Sequence, residues 1–247
     1  MSNLTSRIIS ASIGVPIIFA LIIWGGTQGI AILGLLVTGV LAYELSRMGK
    51  AGNLNGNLIF GLVLILPLVS VINSFFQSID RLITFGIAVL IGLFLIAIKS
   101  LILRHNHRLF FVFITAIFVY GLSLAHVPEF TRIPNGANWV ILILITTFSI
   151  DTCGYFIGSK FGKRLLLARV SPKKTWEGLG ASIIGGVIAF IMVSYFLNLG
   201  IGLWVSMVTG GIMGVLAVGG DLYASSLKRI VKFKDSSVLI PGHGGIL

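Results

Sequence analysis

Eight apolar runs follow one another along this chain, at about 7–24, 28–48, 57–74, 81–99, 108–126, 138–158, 177–198 and 200–220. Each is about 20 residues long, enough as a helix to cross the roughly 30 Å hydrocarbon layer of a bilayer. Hydrocarbon offers no water to peptide N–H and C=O groups, so only helices or closed barrels can cross it. These runs are continuous rather than alternating, which selects helices. The expected fold class is therefore all-α: a polytopic integral membrane protein with about eight transmembrane helices. Composition agrees, with 56% hydrophobic and 10% charged residues against about 25% charged in soluble domains. The 31 glycines suit helices whose backbones approach closely. No long polar segment marks a separate soluble domain. The chain reads as one membrane-embedded domain, residues 1–247, with N-terminal helices over 1–126 and the polar motifs in 138–247. Arg7 precedes a run that flows straight into further spans, so a first helix is expected rather than a signal peptide.

The cations are placed unevenly. Of the 18 Lys and Arg, 16 fall at the N-terminus, at alternate inter-span loops and in the C-terminal segment, and 2 fall in the other loops. The positive-inside rule then places both the N-terminus and the C-terminal motif in the cytoplasm of a multi-pass cell-membrane protein. A missed or invented span would scramble that asymmetry. Because the +11 formal charge is explained by topology and an anionic site, nucleic acid is not an expected partner. The lone Cys153 excludes an internal disulfide and a cysteine-cluster metal site, and is expected to pack as a small apolar residue.

Polar groups inside the runs are the candidates for function. Glu44 ends the second run, three residues before Arg47, and a local i, i+3 ion pair is the first expectation, a functional carboxylate the second. Gly52 to Asn57 reads as a turn-forming loop. His105 and His107 lie in a basic loop without a third ligand nearby, so a solvated loop is expected there. In the sixth run Ser149, Asp151 and Thr152 interrupt an apolar stretch, and Asp151 is either a functional carboxylate or a helix-packing polar residue. Gly154 and Gly158 form a small-x-x-x-small face on the same helix. Ser171 to Gly178 reads SPKKTWEG: Pro172 stiffens a loop, Thr175 caps the seventh helix, and Glu177 lies in its first turn. Lys173 and Lys174 stand beside that helix N-terminus, itself attractive to anions. Gly210 and Gly214 suggest a close crossing, and Gly219 with Gly220 is expected to end the eighth helix and turn Asp221 toward a loop.

The last 27 residues, Asp221 to Leu247, read DLYASSLKRIVKFKDSSVLIPGHGGIL. They carry Lys228, Arg229, Lys232, Lys234, Asp221, Asp235 and a turn of Pro241, Gly242, His243, Gly244 and Gly245. If the start is helical, Asp221, Ser225, Lys228 and Lys232 share one face. A carboxylate, a hydroxyl and ammonium groups in a row suit a metal ion beside a polyphosphate. The plainer alternative is a basic juxtamembrane helix that attracts anionic lipid head groups.

From Ser225 the order S-x-L-K-R, then K-D, then S-x-x-I-P-G-H-G-G resembles the signature of CDP-diacylglycerol synthases (phosphatidate cytidylyltransferases). S-P-x-K-T-x-E-G, about 50 residues earlier, resembles a second motif of that family, and the Asp151 segment resembles a third. The resemblance implies transfer from CTP to phosphatidic acid in the membrane, giving CDP-diacylglycerol and pyrophosphate, with Mg²⁺ as cofactor. It implies Asp221 as metal ligand and Asp235 as a weaker one, with Lys228 and Arg229 holding phosphate oxygens as catalytic groups. Ser225, Lys173, Lys174, Ser171, Thr175, Lys234, Asp151, His243, Gly244 and Gly245 are implied as substrate contacts. The family signature runs on, after G-G-x-x, into Asp-Arg-x-Asp and a further membrane helix. The chain as it stands is expected to be weak or inactive without such an extension. A CTP-dependent lipid kinase, an anion transporter and an inactive homologue are the alternatives. Small-residue helix faces permit a homodimer but equally permit packing within one chain.

Overall fold

The computed structural model describes residues 3–54, 56–76, 133–233, 236–237, 239 and 245–247, and also 112, 115–116, 119–121, 123, 126–127 and 130. The run expected at 81–99 lies outside the described residues, as does most of the run at 108–126. The molecule is mostly helical. Helices α1 (Asn3–Ile23), α2 (Gly26–Ala51) and α3 (Gly56–Phe76) come first. Helix α4 (Gly136–Phe161), strands β1 (Leu165–Leu167) and β2 (Ser171–Thr175), and helices α5 (Trp176–Phe196) and α6 (Leu203–Ile230) follow. Among the described residues four helices are long and apolar enough to cross a membrane: Gln28–Ala51, Gly136–Phe161, Trp176–Phe196 and Leu203–Ile230.

The chain forms two compact units, Met1–Ala137 with Ile230–Leu247, and Asn138–Arg229. In the first unit α2 packs against α1 and α3. The sharp link between α1 and α2 requires glycine: Gly26 adopts a φ of +51°, a conformation that carries a penalty for any residue with a β-carbon. Asn53, at φ 60°, turns the chain between α2 and α3, as the glycine- and asparagine-rich loop there predicts. Ile22, Ile30, Leu41, Leu45, Met48 and Val63 form the buried apolar interior, with Thr38 and Glu44 among them. Thr38 donates its hydroxyl to the Gly34 carbonyl at 2.7 Å, the helix-internal solution for a buried hydroxyl.

The second unit is held by glycines. A β-carbon at Gly154 would strike the Ser182 hydroxyl, and one at Gly178 would lie 3.0 Å from the Gly154 carbonyl oxygen. So α4 and α5 touch backbone to backbone, and Ser182 donates across that contact to the Ile150 carbonyl at 3.1 Å. One turn further along, β-carbons at Gly186 and Gly210 would each lie within 2.6 Å of the other residue's carbonyl oxygen, and one at Gly214 would lie 2.7 Å from Ile183 Cα. Lipid tails are as apolar as leucine, so this close van der Waals contact holds the helices together.

Three expectations are corrected here. Residues 171–175, read as a loop, form β2, antiparallel to β1 with Leu165 opposite Thr175 and Leu167 opposite Ser171. In a two-stranded ribbon each strand is an edge, so Pro172 with its missing N–H is tolerated. Gly219 and Gly220 do not end the eighth helix; α6 runs through them to Ile230. Each glycine costs about 1 kcal/mol in a helix interior, but helix formers follow, and Lys228 and Arg229 complement the dipole in the last turn. Lys232 lies two residues past that end, with a φ of 59°, and so leaves the stripe that Asp221, Ser225 and Lys228 share.

Replacing Gly210 by Val therefore lowers thermal stability in detergent, by about 1–3 kcal/mol in unfolding free energy. Gly180→Ala, at a helix position with nothing within 4 Å, is neutral or stabilises by up to about 1 kcal/mol.

Candidate functional site

The second unit brings three charged side chains from three elements into one place. Lys174 on β2 forms an ion pair with Asp221 on α6 at 2.5 Å. Asp151 on α4 lies within Coulombic range of both. Lys174 is mostly covered, while Asp221 remains about half exposed and Asp151 is exposed. Two carboxylates from the apolar helices α4 and α6 thus share a neighbourhood with one ammonium group from β2.

Local chemistry fixes Lys174. Its neighbour Thr175 is the N-cap of α5, with extended backbone at φ −125° and ψ 158°. The Thr175 hydroxyl accepts the Gly178 N–H at 3.1 Å, as its position before the helix predicts. Trp176 N–H donates to the Arg164 carbonyl at 3.0 Å, and the Arg164 N–H donates to Glu177 at 3.3 Å. Val170 N–H closes the ribbon turn onto the Leu167 carbonyl. The ribbon and the cap together hold Lys174 between a strand and a helix start. Gly158 and Gly162 leave no room for more: β-carbons there would lie 3.2 Å and 2.7 Å from the Thr175 hydroxyl.

The other expected residues are placed as follows. Lys173 is exposed, Ser171 half-buried, and Thr175 buried in its capping role. Ser225 and Lys228 are half-buried on α6, and Arg229 is exposed in its last turn. Seven residues separate Asp221 from Lys228, about 10 Å along the helix. Lys234, Asp235, Gly242, His243 and Gly244 lie outside the described residues. A β-carbon at Gly245 would fall on the Ser236 hydroxyl and the Glu44 carboxylate.

Glu44 does not form the expected local pair with Arg47: it is fully buried and accepts from Ser237 Oγ at 2.7 Å, Ile246 N at 3.0 Å and Leu247 N at 2.9 Å. Arg47 is exposed and lies over the Phe233 ring, 5.6 Å from its centroid. A contact across about 200 residues leaves no local spacing to read. The same holds for Lys174 with Asp221, whose motifs are separately visible in the sequence but whose pairing is not.

Among the described residues no group of three or more His, Cys, Asp or Glu could hold a metal. Asp221 and Asp151 are hard oxygen donors, and Lys174 is the counter-charge of Asp221.

These features define a membrane protein whose charged groups gather on and beside its apolar helices. Residues 5–247 match the family model described as the cytidylyltransferase family, and the chain belongs to that family. It is 36% identical over 128 residues to a phosphatidate cytidylyltransferase of Mycobacterium bovis, covering 52% of this chain and 40% of that protein. A phosphatidate cytidylyltransferase of Haemophilus influenzae is 39% identical over 148 residues, 57% of this chain and 51% of its own. One from Staphylococcus saprophyticus is 32% identical over 127 residues, 51% of this chain and 48% of its own. The matches thus span about half, or less, of those relatives' length.

Thr175→Val keeps the shape of the cap and removes its acceptor. It is expected to lower stability by about 0.5–2 kcal/mol, read as a fall in the melting temperature of the purified protein, while Thr175→Ser retains most of it.

Proposed function

We propose that this chain carries the catalytic centre of a CTP:phosphatidate cytidylyltransferase, making CDP-diacylglycerol and pyrophosphate for phospholipid synthesis. The carrying observation is the Asp151, Lys174 and Asp221 cluster, built from the motifs of a chain that belongs to the cytidylyltransferase family. The names of its relatives support phosphatidate as the acceptor.

In this reaction a phosphate oxygen of phosphatidic acid bonds to the α-phosphorus of CTP. The bond from that phosphorus to the oxygen bridging the β-phosphate breaks, and pyrophosphate leaves with the electron pair. Both partners are anions, so the enzyme must cancel charge and align them rather than supply a nucleophile. Lys173 and Lys174 extend cationic reach from β2, while Lys228 and Arg229 do so from the end of α6, each able to bind phosphate oxygens. Ser225 adds a hydroxyl on the same α6 face as Asp221 and Lys228. Asp221, with Asp151, would hold Mg²⁺, which when bound neutralises phosphate charge and favours pyrophosphate as a leaving group. Lys174 keeps Asp221 oriented until then.

The remaining readings rest on charge placement and composition. Sixteen cations against two on alternating segments support eight spans, a cytoplasmic N-terminus and a cytoplasmic C-terminal motif, where CTP is available. The plasma membrane is the proposed location. The glycine faces of α4, α5 and α6 contact one another, so they lend a homodimer no support.

Full-length protein in proteoliposomes is expected to convert CTP and phosphatidic acid to CDP-diacylglycerol and pyrophosphate in a Mg²⁺-dependent way. Transfer of phosphate to a polyprenol instead would make it a lipid kinase, and CTP-independent anion flux a transporter. Asp221→Asn is expected to abolish turnover at normal expression; unchanged activity would remove Asp221 from the metal site. Reporter tags are expected to place the N-terminus and the C-terminal motif on the cytoplasmic side, and an external motif would overturn the assignment.

A further inference from the structure

Helices α4 and α5 are each long and apolar enough to cross a membrane, and residues 162–175 join the end of one to the start of the other. That connection therefore emerges at a single face of the bilayer. It is not an open loop. The Val170 N–H turns it back onto the Leu167 carbonyl at 3.0 Å, and the Trp176 N–H closes it onto the Arg164 carbonyl at 3.0 Å. Both ends of the β1–β2 ribbon are thus fixed beside membrane helices.

Two sets of exposed side chains sit on this ribbon and its ends. Leu165 and Leu167, alternate residues that share one face of β1, are 49% and 51% exposed. Phe161 and Trp176, at the flanking helix ends, are exposed to a similar degree. Lys160, Lys163, Arg164, Arg169 and Lys173 are exposed as well. The one carboxylate in residues 160–177 is Glu177, and it accepts the Arg164 N–H. Among the described residues no carboxylate lies within ion-pair distance of Lys163, Arg169 or Lys173.

Apolar and cationic groups interleaved over so short a stretch match one occupant, both by charge and by depth. The boundary of a bilayer offers phosphate anions directly over hydrocarbon. Lys and Arg lay their stems along the apolar level while their charges stay among the phosphates. Anionic leaflets attract basic segments beside membrane helices, and tryptophan favours the same level. A soluble anion would neutralise the cations but leave the leucines in water.

We propose that the β1–β2 ribbon is a docking surface for anionic phospholipids of the bilayer that α4 and α5 cross. Leu165 and Leu167 enter the acyl boundary, and Lys163, Arg164 and Arg169 hold lipid phosphates around them. Such docking steadies the strand that carries Lys174, and it is independent of the reaction the chain performs.

For the test, full-length protein is reconstituted in single-protomer nanodiscs of phosphatidylcholine, with or without one third phosphatidylglycerol. Amide hydrogen exchange is read over residues 162–175. Phosphatidylglycerol is expected to slow exchange there about fivefold or more, the effect of at least one cation held at an anionic surface. High salt should erase most of that gain. Lys163→Gln combined with Arg169→Gln, both exposed and outside the groups assigned to the reaction, is expected to abolish the difference at an unchanged melting temperature. Leu165→Ser combined with Leu167→Ser should lose part of the protection while α4 and α5 keep theirs. Wild-type exchange that ignores lipid charge overturns the proposal, as does a glutamine variant that keeps the full difference. Unchanged exchange in the serine variant removes the leucines from the bilayer and overturns it too. If inorganic phosphate protects the ribbon equally in phosphatidylcholine alone, the occupant is a soluble anion and not a lipid. Protection that appears only with two protomers per nanodisc likewise overturns lipid docking and gives the face to a second copy.

Discussion

Close backbone contact between α4, α5 and α6 is the constraint on which the second unit depends. Hydrocarbon gives no hydrophobic reward for pressing helices together, so association needs dense packing and cross-helix hydrogen bonds. Gly154, Gly178, Gly186, Gly210 and Gly214 provide the first, and Ser182 to Ile150 provides the second. The consequence for chemistry is positional. Asp151 lies one turn before Gly154 on the same helix, and Asp221 lies two turns beyond Gly214 on another. Bringing the glycine faces together brings the carboxylates toward the strand that carries Lys174. A β-carbon at the crossing would push apart the elements that hold the charges.

Charge placement follows the same logic of avoided burial. A carboxylate or ammonium group left alone in hydrocarbon costs several kcal/mol, by roughly 3 on insertion scales. The chain solves this in two ways. Lys174 and Asp221 pair where Asp221 is about half uncovered by protein, so a change of partner disrupts little packing. Glu44 is instead enclosed and satisfied by three donors, where a change of partner is expensive. The first arrangement suits groups that exchange ligands during a reaction, and the second suits a fixed anchor. A single chemical type, the carboxylate, thus serves opposite ends because burial differs.

The small ribbon between α4 and α5 shows how a connection can act as a scaffold. Antiparallel pairing of Leu165 with Thr175 and Leu167 with Ser171 feeds directly into the Thr175 cap. The rigid strand-to-helix junction removes freedom that a six-cation loop would otherwise retain. Lys174 can then meet Asp221 without ordering a long flexible segment at the moment of binding.

Sequence alone determined the helical character, the membrane setting, the cap at Thr175, the small-residue faces and the motifs that resemble those of a lipid cytidylyltransferase. Each follows from short-range regularities: run length, a hydroxyl before a helix, glycines four apart, or a fixed order of charged residues. It did not reveal that α6 continues through Gly219 and Gly220, because glycine's helix penalty is a local preference that the following helix formers outweigh. Nor did it reveal the ribbon at 165–175, since strand pairing depends on a partner rather than on either segment's own composition. Only the tertiary structure decided that Lys174 meets Asp221 and that Glu44 receives the chain's far end rather than Arg47. Both are contacts between groups distant in sequence that exist only once the helices have packed, and for the fully buried Glu44 what selects its contacts is the need of a desolvated charge for partners.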